Sequence, residues 1–244
     1  MPEPLLSPLL SLSGVHTHIG QYHILQGVDF AVPRAGLTML LGRNGAGKTT
    51  TLRTVMGLWR ASAGAIRLEN AELAGRATPD IARLGISYVP ENMGIFAGLT
   101  VRENLLLAAR ERAPDDKRLA WIFELFPAMK KFWNGLAGNL SGGQKQMLAI
   151  SRAMIEPRKL LLIDEPTKGL APAIVAAMIE AFRELKRDAT LLVVEQNFHF
   201  ARSLGDTVAV MDSGRIVHAG AMAELAADEA MQQRLLGLSL GSHQ

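Results

Sequence analysis

The run Leu37-Thr-Met-Leu-Leu41-Gly42-Arg43-Asn44-Gly45-Ala46-Gly47-Lys48-Thr49-Thr50 constrains this chain more than any other segment, because it dictates a buried strand, a turn of bare backbone and a helix, in that order. Gly42 to Thr49 fits G-x-x-x-x-G-K-[ST], and the strand before it and the helical pattern Lys48 to Leu58 after it supply the context that pattern needs. Gly42, Gly45 and Gly47 permit the backbone angles that turn successive N–H groups inward around an anion. Arg43, Asn44, Ala46 and Thr50 complete the cradle, and the helix N-terminus adds its dipole. Lys48 brings a mobile positive charge to β- and γ-phosphates, and the Thr49 hydroxyl is a Mg²⁺ ligand. The chain is therefore expected to bind a nucleotide.

A second acidic element fits the first. Leu160-Leu-Leu-Ile163 reads as a buried strand ending in Asp164 and Glu165. Asp164 would hold Mg²⁺ and Glu165 would polarise an attacking water as general base. Two acids after an apolar strand are commonly a loop cap, and this pair takes its meaning from Lys48. Between the two lies Leu140-Ser141-Gly142-Gly143-Gln144, a capping box S-x-x-Q before an apolar helix carrying Met147, Leu148, Ile150, Ala153 and Met154. Such a cap also leaves N–H groups and a positive dipole end able to receive a phosphate, one that the chain's own nucleotide cannot supply. The order implies half of a paired machine.

With 244 residues the chain is long enough for one domain (1–244) with a proper core. A net charge of +3, dispersed over 26 basic and 23 acidic residues, argues against nucleic acid as a partner. Without cysteine the chain has no disulfide and no thiolate metal site, in keeping with a reducing compartment. The start, Met-Pro-Glu-Pro-Leu-Leu-Ser-Pro, has no basic region and is a poor signal peptide. No stretch approaches the roughly 20 apolar residues that cross a bilayer, so service to a membrane would require docking on something that spans it.

Short apolar runs alternating with helical patterns predict an α/β fold, a mostly parallel sheet covered by helices. Strands are expected at Ile24 to Val32, Leu37 to Leu41, Ile86 to Val89, Leu160 to Ile163, Thr190 to Val194 and Thr207 to Met211, and a turn at Ala61-Ser-Ala-Gly64. From about residue 92 to 155 the pattern is almost all helical and reads as an inserted subdomain. Within it Thr100-Val-Arg-Glu103 is a capping box, and Pro114-Asp-Asp opens a helix that Pro127 ends. From Ala221 short helices precede a frayed Gly-Ser-His-Gln tail. Trp121, Phe123, Phe126, Phe132 and Trp133 are expected in the core of the helical block, with some exposed to grip a partner. The stripe Ile174, Val175, Met178, Ile179, Phe182 and Leu185 should pack on the sheet. His16, His18 and His23 allow a metal site, but surface histidines beside a strand are the plainer reading.

Together the phosphate loop, the LSGGQ segment and the Asp164-Glu165 strand end resemble the ATP-binding-cassette (ABC) ATPases across nearly the whole chain. The resemblance implies a P-loop NTPase fold whose mostly parallel core carries an antiparallel β part and the helical insertion. It implies ATP and Mg²⁺ as ligands and a head-to-tail pair of cassettes, with Ser141, Gly142, Gly143 and Gln144 closing over the partner's ATP. Glu124-Leu-Phe-Pro127, Gln146-Met-Leu-Ala-Ile150, Gly169-Leu-Ala-Pro172 and Val194-Glu-Gln-Asn197 look like the shorter ATPase of branched-chain amino-acid importers. That likeness implies a paralogous second cassette, two transmembrane permease subunits and a periplasmic binding protein, with this chain peripheral on the cytoplasmic face of the inner membrane.

Four positions depart from the common cassette pattern. Glu91 stands where a Gln usually contacts Mg²⁺, and a carboxylate can still ligate the ion. Gln196 stands at the switch histidine, where it can sense a γ-phosphate but carries no proton. Ala171 removes a carboxylate from the seam between cassettes. Ile19 replaces the adenine-stacking aromatic and would pack the base by dispersion alone. The expectation is an ATPase powering uptake of branched-chain or hydrophobic amino acids. The alternatives are uptake of another small solute such as urea or short amides, a weakly hydrolysing regulatory cassette, or a soluble ATPase of repair or translation that clamps nucleic acid or ribosome.

Overall fold

A computed structural model describes residues 8–109 and 114–237; the expectations for the N-terminal segment and for the Gly-Ser-His-Gln tail lie outside them. Among the described residues ten strands form two sheets. In chain order they are β1 (Leu10–Ile19), β2 (Tyr22–Val32), β3 (Leu37–Leu41), β4 (Ala61–Leu68), β5 (Ala71–Glu72), β6 (Ile86–Val89), β7 (Leu160–Asp164), β8 (Thr190–Val194), β9 (Thr207–Asp212) and β10 (Arg215–Ala221). The helices are α1 (Lys48–Val55), α2 (Thr78–Arg83), α3 (Val101–Leu106), α4 (Asp116–Leu125), α5 (Pro127–Lys131), α6 (Gly142–Ala153), α7 (Pro172–Asp188), α8 (Phe198–Leu204), α9 (Met222–Ala227) and α10 (Glu229–Leu236).

The six-stranded sheet runs β10-β9-β3-β8-β7-β6, with parallel pairs from β9 to β6 and β10 antiparallel at one edge. β3, β7 and β8 are buried at every residue, the mark of strands covered on both faces. One apolar core lies between this sheet and the helices of the 101–204 stretch, where Phe182 and Phe200 meet edge to face with centroids 5.3 Å apart. A second lies on the opposite face, under α1 and the antiparallel sheet β2-β1-β4-β5.

The strands expected at Leu37–Leu41, Ile86–Val89 and Thr190–Val194 form with those bounds. Ala61-Ser-Ala-Gly64 is not a turn but the start of β4, paired with β1. These small residues have little intrinsic preference for a strand, and pairing imposes the conformation. Gly64 is required there: its φ is +87°, and a Cβ would stand 2.2 Å from the Gly14 carbonyl oxygen, where β1 itself slips register. The helix after the phosphate loop ends at Val55, three residues before Leu58. Pro127 ends α4 as expected but also opens α5, because proline suits the first helical position. Phe126, at that junction, is fully buried.

Topology decides where chemistry collects. β3, β8, β7 and β6 are consecutive neighbours and run parallel, so the segments that follow them leave the sheet on one edge. Those segments contain Gly42–Lys48, Glu195-Gln196, Glu165 and Glu91, and Asp164 is the last residue of β7 at the same edge. Ligands of open parallel sheets bind at that carboxyl edge.

Candidate functional site

The phosphate loop is held from beneath. Gly42 has φ +147°, and a Cβ on it would meet the Met211 carbonyl oxygen of β9 at 2.2 Å. The Gly214 N–H donates to Ala46 O at 2.9 Å, tying the loop to the β9–β10 turn. α1 begins directly at Lys48, so its first amides face the loop's concavity with no side-chain cap in the way.

Lys48 is almost fully buried and donates to the Gly42 and Arg43 carbonyls at 2.7 and 3.0 Å. An ammonium has three donors, so this geometry leaves one for a ligand. Burial lowers its pKa from the usual lysine range, and the Glu165, Asp164 and Glu195 carboxylates work in the opposite direction. Thr49 Oγ1 donates to Asp164 Oδ1 at 3.0 Å, and Tyr88 OH donates to Asp164 Oδ2 at 3.3 Å. Asp164 is fully buried, and this burial pushes its pKa up to about 6 although both hydroxyls oppose the shift. A buried carboxylate with only hydroxyl partners beside an anion cradle fits a divalent cation.

Glu165 is nearly buried and sits at φ +47°, an unfavourable angle for a non-glycine residue. Its Oε1 accepts from Gln196 Nε2 at 2.5 Å, and its Oε2 faces Lys168 Nζ at 3.2 Å. Lys168 also donates to Glu91 Oε1 at 2.6 Å. One lysine thus joins the carboxylate after β6 to the carboxylate after β7, and these bonds hold its pKa above the usual lysine value. Sequence reasoning did not single out Lys168; nothing in its own neighbourhood announces a partner 77 residues away.

A cleft lined by Asn44 to Thr50 also takes in Ile24, Glu91, Glu165 and Lys168. Gln196 lines an adjoining cleft with Gly42, Arg43, Asn44 and Glu195. The residues around the phosphate loop that the sequence pointed to are therefore brought together, with two exceptions. Ile19 ends β1 opposite Tyr22, and it is Ile24 that lies on the wall of the cleft. The Ser141–Gln144 segment does not line either cleft. It forms the reciprocal capping box at the start of α6, with Ser141 N donating to Gln144 Oε1 at 2.9 Å and Gln144 N donating to Ser141 Oγ at 3.4 Å. Ala171 is the N-cap of α7 and offers no side-chain bond there.

The three histidines stack along the β1–β2 hairpin. His16 Nδ1 lies 2.9 Å from His23 Nε2, and the His18 and His23 ring centroids are 4.2 Å apart. His23 has its pKa lowered by desolvation and by its two histidine neighbours. Among the described residues no helix is long and apolar enough to cross a membrane.

Comparison with known proteins adds an independent line. The family model described as "ABC transporter" matches residues 25–168. The high-affinity branched-chain amino acid transport ATP-binding protein BraG of Pseudomonas aeruginosa is 39% identical over 232 residues, covering 94% of this chain and 100% of the relative. A probable branched-chain amino acid transport ATP-binding protein, LivF, of Archaeoglobus fulgidus is 34% identical, covering 89% of this chain and 94% of its own. Among solved structures, an ATP-binding subunit of an ABC transporter is 28% identical with a TM-score of 0.78, over 95% of both chains. The ADP conformation of the cassette MJ1267 shares the fold at TM-score 0.79 and 23% identity, covering 96% of this chain and 100% of that one.

Proposed function

This chain belongs to the ABC transporter family, and we propose that it is the ATP-hydrolysing subunit of an importer for branched-chain or other hydrophobic amino acids. The observation that carries the ATPase reading is the meeting of two distant segments: Thr49 of the phosphate loop bonds Asp164 at the end of β7, 115 residues away. The solute class rests on the two branched-chain relatives, whose likeness runs over nearly the full length of each chain.

The loop amides of Gly42 to Gly47 and the third Lys48 donor bind the β- and γ-phosphates. Thr49 and Asp164 would hold Mg²⁺, with Glu91 as a further oxygen donor, and the ion would supply charge neutralisation on the phosphates. Glu165 takes a proton from the attacking water as general base. Gln196, bonded to Glu165, fixes the carboxylate and can donate to a γ-phosphate oxygen. Lys168 opposes this arrangement while it pairs with both Glu91 and Glu165, since its charge competes with a metal for the Glu91 carboxylate. Ser141, Gly142, Gly143 and Gln144, away from the chain's own clefts, serve the ATP of a second cassette. The missing seam carboxylate at Ala171 supports a paralogous partner rather than a second copy. Two transmembrane permease subunits carry the pair on the cytoplasmic face of the inner membrane, and a periplasmic binding protein delivers the solute.

Glu165→Gln tests the assignment, assayed with the second cassette bearing its own equivalent substitution so that only this chain's base is in question. General-base loss costs roughly 10²- to 10⁴-fold in turnover, while ATP affinity should stay within about threefold because the phosphate loop is untouched. Turnover equal to the otherwise identical complex would remove Glu165 from its role.

A further inference from the structure

Glu195 is 2% exposed and has no part in the chemistry described above, yet it is one of the most heavily bonded side chains in the molecule. Its Oε1 accepts from Thr167 N at 2.9 Å and from Thr167 Oγ1 at 2.6 Å. Its Oε2 accepts from Gln196 N at 2.9 Å and Asn197 N at 3.0 Å. The residue's own N–H donates to Leu40 O at 3.3 Å, at the base of the phosphate loop. A buried charge is costly unless its hydrogen-bonding capacity is filled, and here four donors fill it.

Those donors come from two segments that both touch the proposed base. Thr167 lies in the turn that follows Glu165, and Gln196 is the residue whose side chain bonds Glu165. The two segments are otherwise joined near this point through Glu165 N donating to Val194 O at 2.9 Å. Glu165 has no freedom to relax on its own, since its backbone is held at φ +47°. Such an angle persists only where the surroundings over-determine it.

We propose that Glu195 is a positioning residue for hydrolysis: its carboxylate clamps the turn after Glu165 and the Gln196 segment into one frame, so that the Glu165–Gln196 pair is set before nucleotide arrives. This rests on the ATPase reading given above. Glu195 does not touch the reacting atoms and acts only through Thr167 and Gln196. The clamp also depends on the carboxylate being an acceptor at both oxygens. In Glu195→Gln one oxygen becomes an NH₂ group. Turned toward Gln196 and Asn197, it would face two N–H donors. Turned toward Thr167, it can donate to the hydroxyl but leaves the Thr167 amide without an acceptor. Either way one half of the clamp opens while shape and volume are kept.

The test measures steady-state ATP hydrolysis by the assembled transporter with the general base of the second cassette substituted, together with amide hydrogen exchange of this chain, for wild type, Glu195→Gln, Thr167→Val and Thr167→Ser. Displacement of a reacting group by about an ångström costs on the order of a hundredfold. Glu195→Gln should therefore lower kcat at least about tenfold, with KM for ATP within about threefold, and speed exchange at 167–168 or 196–197. Thr167→Val should shift both readouts in the same direction by less, and Thr167→Ser should match wild type. Should Glu195→Gln fail to fold, the Thr167 pair decides alone. Unchanged exchange in those segments overturns the clamp. So does a wild-type kcat, or a loss confined to melting temperature and KM. A wild-type complex without turnover would instead refute the ATPase reading, while the exchange measurement would still judge the clamp.

Discussion

Gly42 offers the sharpest check on how the phosphate loop is built. A methyl group there would stand 2.2 Å from the Met211 carbonyl oxygen, and the backbone angle of +147° is one that side-chain-bearing residues rarely adopt. The carbonyl belongs to β9, which is paired on both sides, so neither partner can yield locally. Strain of this kind costs about 1–3 kcal/mol, and forcing backbone apart to admit a methyl costs about 1–3 kcal/mol more. Gly42→Ala should therefore lose about 2–6 kcal/mol. In a domain of this size each kcal/mol lowers Tm by roughly 2–4 °C, so the melting temperature should fall by roughly 4–24 °C. Gly45→Ala is the control: its φ is also positive, at +81°, but nothing lies within 4 Å of the added carbon. It should lose only the strain term. Thermal melts followed by circular dichroism, with and without ATP, separate the two. If Gly42→Ala melts no lower than Gly45→Ala, or keeps wild-type ATP stabilisation, the claim that Met211 buttresses the loop is wrong.

Two further perturbations probe the base site and the helical block. Ile24→Tyr puts a ring on the wall of the phosphate-loop cleft; aromatic contacts add about 0.5–1.5 kcal/mol, so ATP should bind roughly 2- to 12-fold tighter by calorimetry. No change would place the base elsewhere, with Ile19 the next residue to vary. Phe126→Ala empties a fully buried site at the α4–α5 junction. It should cost about 3–5 kcal/mol, lowering Tm by roughly 6–20 °C, and a smaller loss would show that α4 and α5 pack independently of the core.

Where sequence signals are local, they were legible. A continuous apolar run bounded by a glycine or acid announces a buried strand, and Leu37–Leu41, Leu160–Asp164 and Thr190–Val194 formed as such. Both capping boxes, at Thr100 and Ser141, are closed by reciprocal bonds because they depend on residues three apart. What stayed hidden is what pairing creates. Ala61–Leu68 opens with small residues and a glycine, and becomes a strand only because β1 lies beside it. The Lys168 bridge between Glu91 and Glu165 and the four bonds on Glu195 join segments far apart in the chain, brought together by the strand order. Glu195 stood in plain view within Val194-Glu-Gln-Asn197, but no spacing rule assigns a buried carboxylate its donors.

ATP hydrolysis by this chain should drive uptake. Reconstitution of the chain in vesicles with the proposed second cassette, permease subunits and binding protein, with entry of labelled leucine followed on supplying ATP, tests that coupling. Uptake that requires ATP and collapses with Lys48→Ala in this chain is the predicted result. Uptake that proceeds unchanged with Lys48→Ala, or no leucine entry while another solute is carried, would contradict it.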